Sequence, residues 1–118
     1  MPHLLLIHEP IGQRAARSDA EGRATYERML RWGDELKERG LLLAAESLAS
    51  TESAVRVTVP AGKARIVDGP FAEAKEMVGG FFMVDVDSRD EAIALAAECP
   101  AAEWATVEVR ALAPCFMR

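Results

Sequence analysis

The run Asp68-Gly69-Pro70-Phe71-Ala72-Glu73-Ala74-Lys75-Glu76 gathers three carboxylates and a lysine behind a glycine and a proline. Gly69 supplies backbone freedom and Pro70 fixes φ, so a tight turn is expected here, holding Asp68 on the rim of a sheet. Two carboxylates close to a lysine can separate in pKa and move protons, which makes Asp68 and Glu73 the candidate catalytic groups, with Phe71 and Lys75 beside them. The plainer reading is a structural turn. In it Asp68 bonds nearby N–H groups, Phe71 plugs the core, and Glu73, Lys75 and Glu76 are solvated.

Few other residues are candidates. His3 and His8 are the only histidines; in a strand an odd and an even position face opposite ways, so they cannot share a site. His8 is the better ligand candidate because it ends a strand beside Glu9. Glu46 reads equally as a surface charge or a cavity acid. Cys99 and Cys115 have no metal-ligand or CxxC spacing and are expected to be structural thiols. GxSxG, HExxH, GxxxxGK[ST] and GxGxxG motifs are absent, and no metal or cofactor is expected.

The elements that must position these groups belong to a chain of 118 residues, half of them hydrophobic and 28% charged, enough for one ordinary core over residues 1–118. The formal net charge is −5 and the basic residues are scattered, which argues against nucleic acid or an anionic membrane as a partner. No apolar run approaches the roughly 20 residues of a membrane span. The start, Met1-Pro2-His3, has no export pattern, so a cytoplasmic location is expected.

Leu4–His8 reads as a buried central strand, stopped by Pro10 and Gly12. Ser18-Asp19-Ala20-Glu21 is a capping box, and Tyr26, Met29, Leu30, Gly33 and Leu36 place one apolar stripe on the helix that follows. Gly40 ends that helix. A second strand over Leu41–Ser50 is followed by a hairpin, whose half-buried first arm is Ala54–Val59 and whose return is Ala64–Val67. A short helical segment is expected over Ala72–Val78. Gly79-Gly80 then opens the strand Phe81–Val86, with Phe82, Val84 and Val86 on one face and Phe81, Met83 and Asp85 on the other. Ser88 caps a second helix that ends before Pro100, and Trp104–Arg110 is the last strand.

This order predicts an α+β fold: a ferredoxin-like βαββαβ unit, with one antiparallel sheet and two helices on one face. The opposite face, carrying Phe81 and Met83 beside Asp85, Glu108 and Arg110, needs a cover. A second copy would bury it and enclose a mixed polar and apolar cavity for a small molecule, which makes a homodimer the expected assembly and Phe81, Met83 and Arg110 expected ligand contacts.

Residues 68–76 closely resemble the DGPFAETKE signature of the DGPF family of YCII-related proteins. Leu4-Leu5-Leu6-Ile7, Ala45-Glu46-Ser47-Leu48, Gly79-Gly80-Phe81-Phe82 and Val107-Glu108-Val109-Arg110 follow in family order. The chain departs from the pattern at Ala74 for Thr, Ala45 for Gly and Ala111 for Pro. The resemblance implies a dimeric α/β barrel and an association with extracytoplasmic-function sigma factors. YCII-like relatives are associated with a His-Asp pair whose histidine lies in the first helix; residues 18–39 contain none, so the pair is not carried over. Two functions stand: a small-molecule-binding protein, and an enzyme doing acid-base chemistry on a small cyclic or lactone-like substrate, by analogy with muconolactone isomerases. A third reading keeps the dimer without a cavity.

Overall fold

The computed structural model describes residues 1–118. Its elements are β1 (His3–Pro10), α1 (Asp19–Glu38), β2 (Leu42–Ser47), β3 (Val55–Thr58), β4 (Arg65–Asp68), β5 (Glu76–Val84), α2 (Arg89–Glu98) and β6 (Thr106–Ala111). β2, β5, β1 and β6 form one sheet in that order, each neighbouring pair antiparallel. The fold is thus α+β with a ferredoxin-like arrangement, and β1 is central as its unbroken apolar run requires.

Both ends of α1 follow from sequence. The Ser18 hydroxyl accepts from Glu21 N–H at 3.1 Å, and the Glu21 carboxylate accepts from Ser18 N–H at 3.0 Å. At the other end Gly40 takes φ +72°, and the N–H groups of Gly40 and Leu41 donate to the carbonyls of Lys37 and Leu36, closing a Schellman turn. The Ser88 hydroxyl likewise caps α2 through Glu91 N–H.

The core lies between the helices and one sheet face. Leu5 and Ile7 of β1 and Phe82 and Val84 of β5 meet Trp32 and Leu36 of α1 and Ala92 and Leu95 of α2. The Trp32 and Phe82 rings pack edge to face with centroids 4.8 Å apart. Cys99 is part of this core, and burial pushes its thiol up to about 11. Cys115 is exposed near the C-terminus. The strand phase read from sequence holds: Phe82, Val84 and Val86 are buried toward the helices, while Leu4, Leu6, Phe81 and Met83 lie half-buried on the other face.

Several expectations are corrected. Residues 72–78 form no helix: Phe71–Ala74 closes a single turn and β5 already begins at Glu76, pairing with Pro10. So short a segment has a costly helical nucleus, whereas the end of β1 offers backbone partners. β2 stops at Ser47, β6 starts at Thr106 rather than Trp104, and Asp85 lies beyond the end of β5. The hairpin β3–β4 stays outside the main sheet as a two-stranded unit, and its apolar residues Val55, Val57, Ile66 and Val67 are all exposed rather than half-buried. The α1 stripe is divided: Gly33 and Leu36 are buried, but Tyr26 is 52% exposed and Leu30 49%.

The molecule is thin, 46 × 43 × 19 Å. Its radius of gyration is 16.1 Å, against about 13.5 Å for a compact chain of this length. Its accessible surface is 8287 Å², about 2,000 Å² above the norm for its mass.

Candidate functional site

A cavity of about 600 Å³ opens between α1 and the sheet. The α1 residues Tyr26 and Leu30, which stand away from the core, and Met29, which packs against its edge, form one wall, and Phe82 and the Gly79-Gly80 backbone lie across from them. Gly33 faces the Phe82 ring, where an added Cβ would make ordinary van der Waals contact at 3.5 Å. The helix seats its C-terminal half on the sheet, while its first turns border open space.

Glu9 lies on the cavity wall and is the one buried carboxylate of the molecule. It shares the helix-facing side of β1 with His3, Leu5 and Ile7, so alternation carries its side chain inward. A carboxylate in that position needs a partner. Arg14 provides it, with Nε donating to Oε1 at 2.5 Å and Nη2 donating to Oε2 at 3.3 Å. The same guanidinium donates from Nη1 to the Leu48 carbonyl at 2.7 Å and from Nη2 to the Gly79 carbonyl at 3.3 Å. Arg14 thus ties the turn after β1 to the end of β2 and the start of β5.

The Gly79-Gly80 pair has a specific reason here. The register between β1 and β5 shifts at this point, Ile7 pairing with Gly80 and His8 with Val78. A Cβ on Gly79 would collide with the Glu9 carboxylate, and one on Gly80 would lie 2.8 Å from the Glu46 carbonyl oxygen. The bulge turns Met77 toward the helix side, where it is buried, and leaves Val78 exposed.

At the far end of the cavity stands Trp104. Arg17 and Arg28 both lie over its ring, with guanidinium carbons 5.8 Å and 5.3 Å from the centroid. Gln13 donates to the Trp104 carbonyl at 2.8 Å, fixing the 11–17 turn against this residue; its own Oε1 is buried without a partner.

The residues singled out from sequence fall into three places. Glu46 and Phe81, cross-strand partners, border the cavity from the sheet, although their strand phase turns both side chains to the opposite face. His8, Met83 and Arg110 lie on the strand positions of the opposite face, where His8 Nε2 and Glu108 Oε1 are 2.6 Å apart. His3 is on the helix side, its Nδ1 3.1 Å from the Val86 carbonyl oxygen, so the two histidines are separated by the sheet as parity requires. Asp68, Phe71, Glu73 and Lys75 lie on the stretch from the end of β4 to the start of β5 and do not line the cavity.

There the Gly69-Pro70 peptide is cis, Gly69 N–H donates to the Ala54 carbonyl at 2.7 Å, and a Cβ on Gly69 would collide with the Thr51 carbonyl. Phe71 is covered by Arg56, whose guanidinium carbon is 3.7 Å from the ring centroid, and so does not plug the core. Asp68, Glu73 and Lys75 are solvent-facing and form no ion pair.

Sequence reading passed over Glu9, Arg14, Arg17 and Trp104. The signal for Glu9 was present: a carboxylate in phase with His3, Leu5 and Ile7 on a central strand. No group of three or more His, Cys, Asp or Glu side chains converges to hold a metal ion, and no helix is long and apolar enough to cross a membrane.

Comparison with known proteins bears on the whole chain. An uncharacterised protein of Rhizobium meliloti (strain 1021) is 40% identical over 78 residues, a stretch covering 64% of this chain and 63% of that protein. The chain therefore spans less than two thirds of that relative's length. The model of the YCII-related domain matches residues 1–115, and on that near-complete match the chain belongs to the YCII-related family.

Proposed function

We propose that this chain is a small-molecule-binding protein that works as a homodimer and holds its ligand in the cavity between α1 and the sheet. The observation that carries the reading is that cavity, with apolar Tyr26, Met29 and Leu30 on its helix wall and Glu9, buried and paired with Arg14, on its sheet wall. Concave, largely apolar sites with a few fixed polar groups are the usual form of a ligand pocket. The dimer is supported by the surplus of surface: about 2,000 Å² exceeds the roughly 800 Å² per partner of a standard interface. The sheet face with Leu4, Leu6 and Met83 is the natural place for the second copy, and β3–β4 offers further apolar surface to it.

The Asp68–Glu76 segment supports placing the chain in the DGPF branch of the family. The regulatory role beside sigma factors that this branch implies needs binding alone and no catalytic group. An enzyme doing acid-base chemistry is the second reading, and Glu9 favours it as a buried carboxylate on the cavity wall. Asp68 and Glu73 serve it poorly, since both face solvent in the single chain.

Native mass spectrometry of the purified protein, together with its mass in solution, tests the proposal. The expected result is a dimer retaining one small molecule per chain. A monomer, or a dimer that takes up nothing from a panel of small molecules, would overturn it.

A further inference from the structure

We infer that the ligand is a monocarboxylate with a flat apolar or aromatic body, its carboxylate held by Arg17 at the Trp104 end of the cavity. This rests on the cavity being the binding site and adds the ligand's chemical class. Of the charged residues bordering the cavity, Arg14, Arg17 and Lys37 stand against Glu9 and Asp34, while Glu46 is in register with Phe81 on the other face of the sheet, so the lining carries a formal surplus of one positive charge. A single added negative charge matches it. A dianion such as a phosphate monoester exceeds it.

The three cations are not equivalent. Arg14 has all three guanidinium nitrogens engaged, by Glu9, Leu48 and Gly79. Lys37 sits in the last turn of α1, where its charge complements the helix C-terminus. Arg28 and Arg39 are paired with Glu103 and Glu98. Arg17 is in no ion pair and its guanidinium donates no hydrogen bond, yet the residue is half-buried along Trp104 at the cavity edge.

An arginine positioned by an aromatic ring with its forked donors unengaged matches the two oxygens of a carboxylate. The N-terminus of α1 adds no competing anion site, because the capping box of Ser18 and Glu21 already occupies it. Trp104, Tyr26, Met29 and Phe82 supply faces for a flat apolar body.

Calorimetric titration of the full chain with 2-naphthylacetate and its neutral isostere 2-naphthylacetamide separates the possibilities. The acetate is expected to bind at least about tenfold more tightly than the amide, the worth of one charge-assisted contact. Arg17→Met should remove that preference while leaving amide binding within about twofold, Arg17→Lys should restore part of it, and Arg23→Met should leave it intact. Equal binding of the two probes, or an unchanged preference in Arg17→Met, would overturn the ligand class while leaving the cavity as the binding site. Binding of neither probe would overturn the inference; if native mass spectrometry also finds no retained molecule, the cavity reading falls with it.

Discussion

Glu9 and Arg14 are five residues apart, and their pairing depends on the turn after β1 folding back over the strand end. The carboxylate is nearly buried while the guanidinium is 34% exposed. Removing Arg14 would strand the buried charge. Water can reach the vacated side, so Arg14→Met should cost about 2 kcal/mol, below the ~3–5 kcal/mol of a fully enclosed pair. A lowered urea midpoint by circular dichroism checks this, and Glu9→Gln added to Arg14→Met should recover part of the loss. The two cysteines offer a second check at this scale. With the Cys99 thiol raised to about 11 by burial, only Cys115 should react with a thiol reagent in the folded protein at about pH 8. The titration should read one thiol per chain folded and two in denaturant.

α1 shows how one element divides its labour. The three- and four-residue spacing from Tyr26 to Leu36 does mark one side of the helix, but the sheet meets only its C-terminal half, at Gly33 and Leu36. Trp32, which lies outside the simple stripe, is buried against Phe82. Spacing reports which residues share a face; what lies opposite that face is a tertiary matter. The N-terminus of α1 carries a pH dependence of known sign. The Ser18 backbone and hydroxyl hydrogen bonds hold the Glu21 carboxyl below its usual range. Its contribution is therefore present above the unfolded carboxylate pKa and lost as pH falls through the lower folded value. Glu21→Gln should narrow its stability difference from the native chain between about pH 6 and about pH 3, by thermal melts. The group is exposed, so the effect is small.

For the whole molecule the governing fact is its thinness. A sheet with helices on one side only leaves Leu4, Leu6, Phe81 and Met83 without a second layer, and the exposed hairpin adds to the excess surface. If a second copy fills it, one charge on this face should be enough to separate the pair. Met83→Glu is expected to shift the protein from dimer to monomer by light scattering at micromolar concentration, with far-ultraviolet circular dichroism unchanged. A dimer that survives this substitution would move the interface elsewhere, to the exposed hairpin first. The His8–Glu108 pair lies on the same face, so a partner there would bury it.

Much of the fold was legible in the residues because it rests on local physics. The capping box of α1 and the serine cap of α2, the glycine at the end of α1, the alternation of β5 and β6 and the opposed histidines each depend on neighbours within a few positions. The α+β order followed from these, and the family resemblance from the Asp68–Glu76 segment and the motifs around it. The site was not legible in the same way. Asp68 and Glu73 drew attention because they are close in sequence, yet the hairpin carries them out into solvent. Glu9 gains its importance from Arg14, Leu48 and Gly79, and Arg17 from Trp104, almost the whole chain away. Burial and charge pairing depend on what long-range packing brings alongside a residue, so the cavity and its lining were decided only by the tertiary structure.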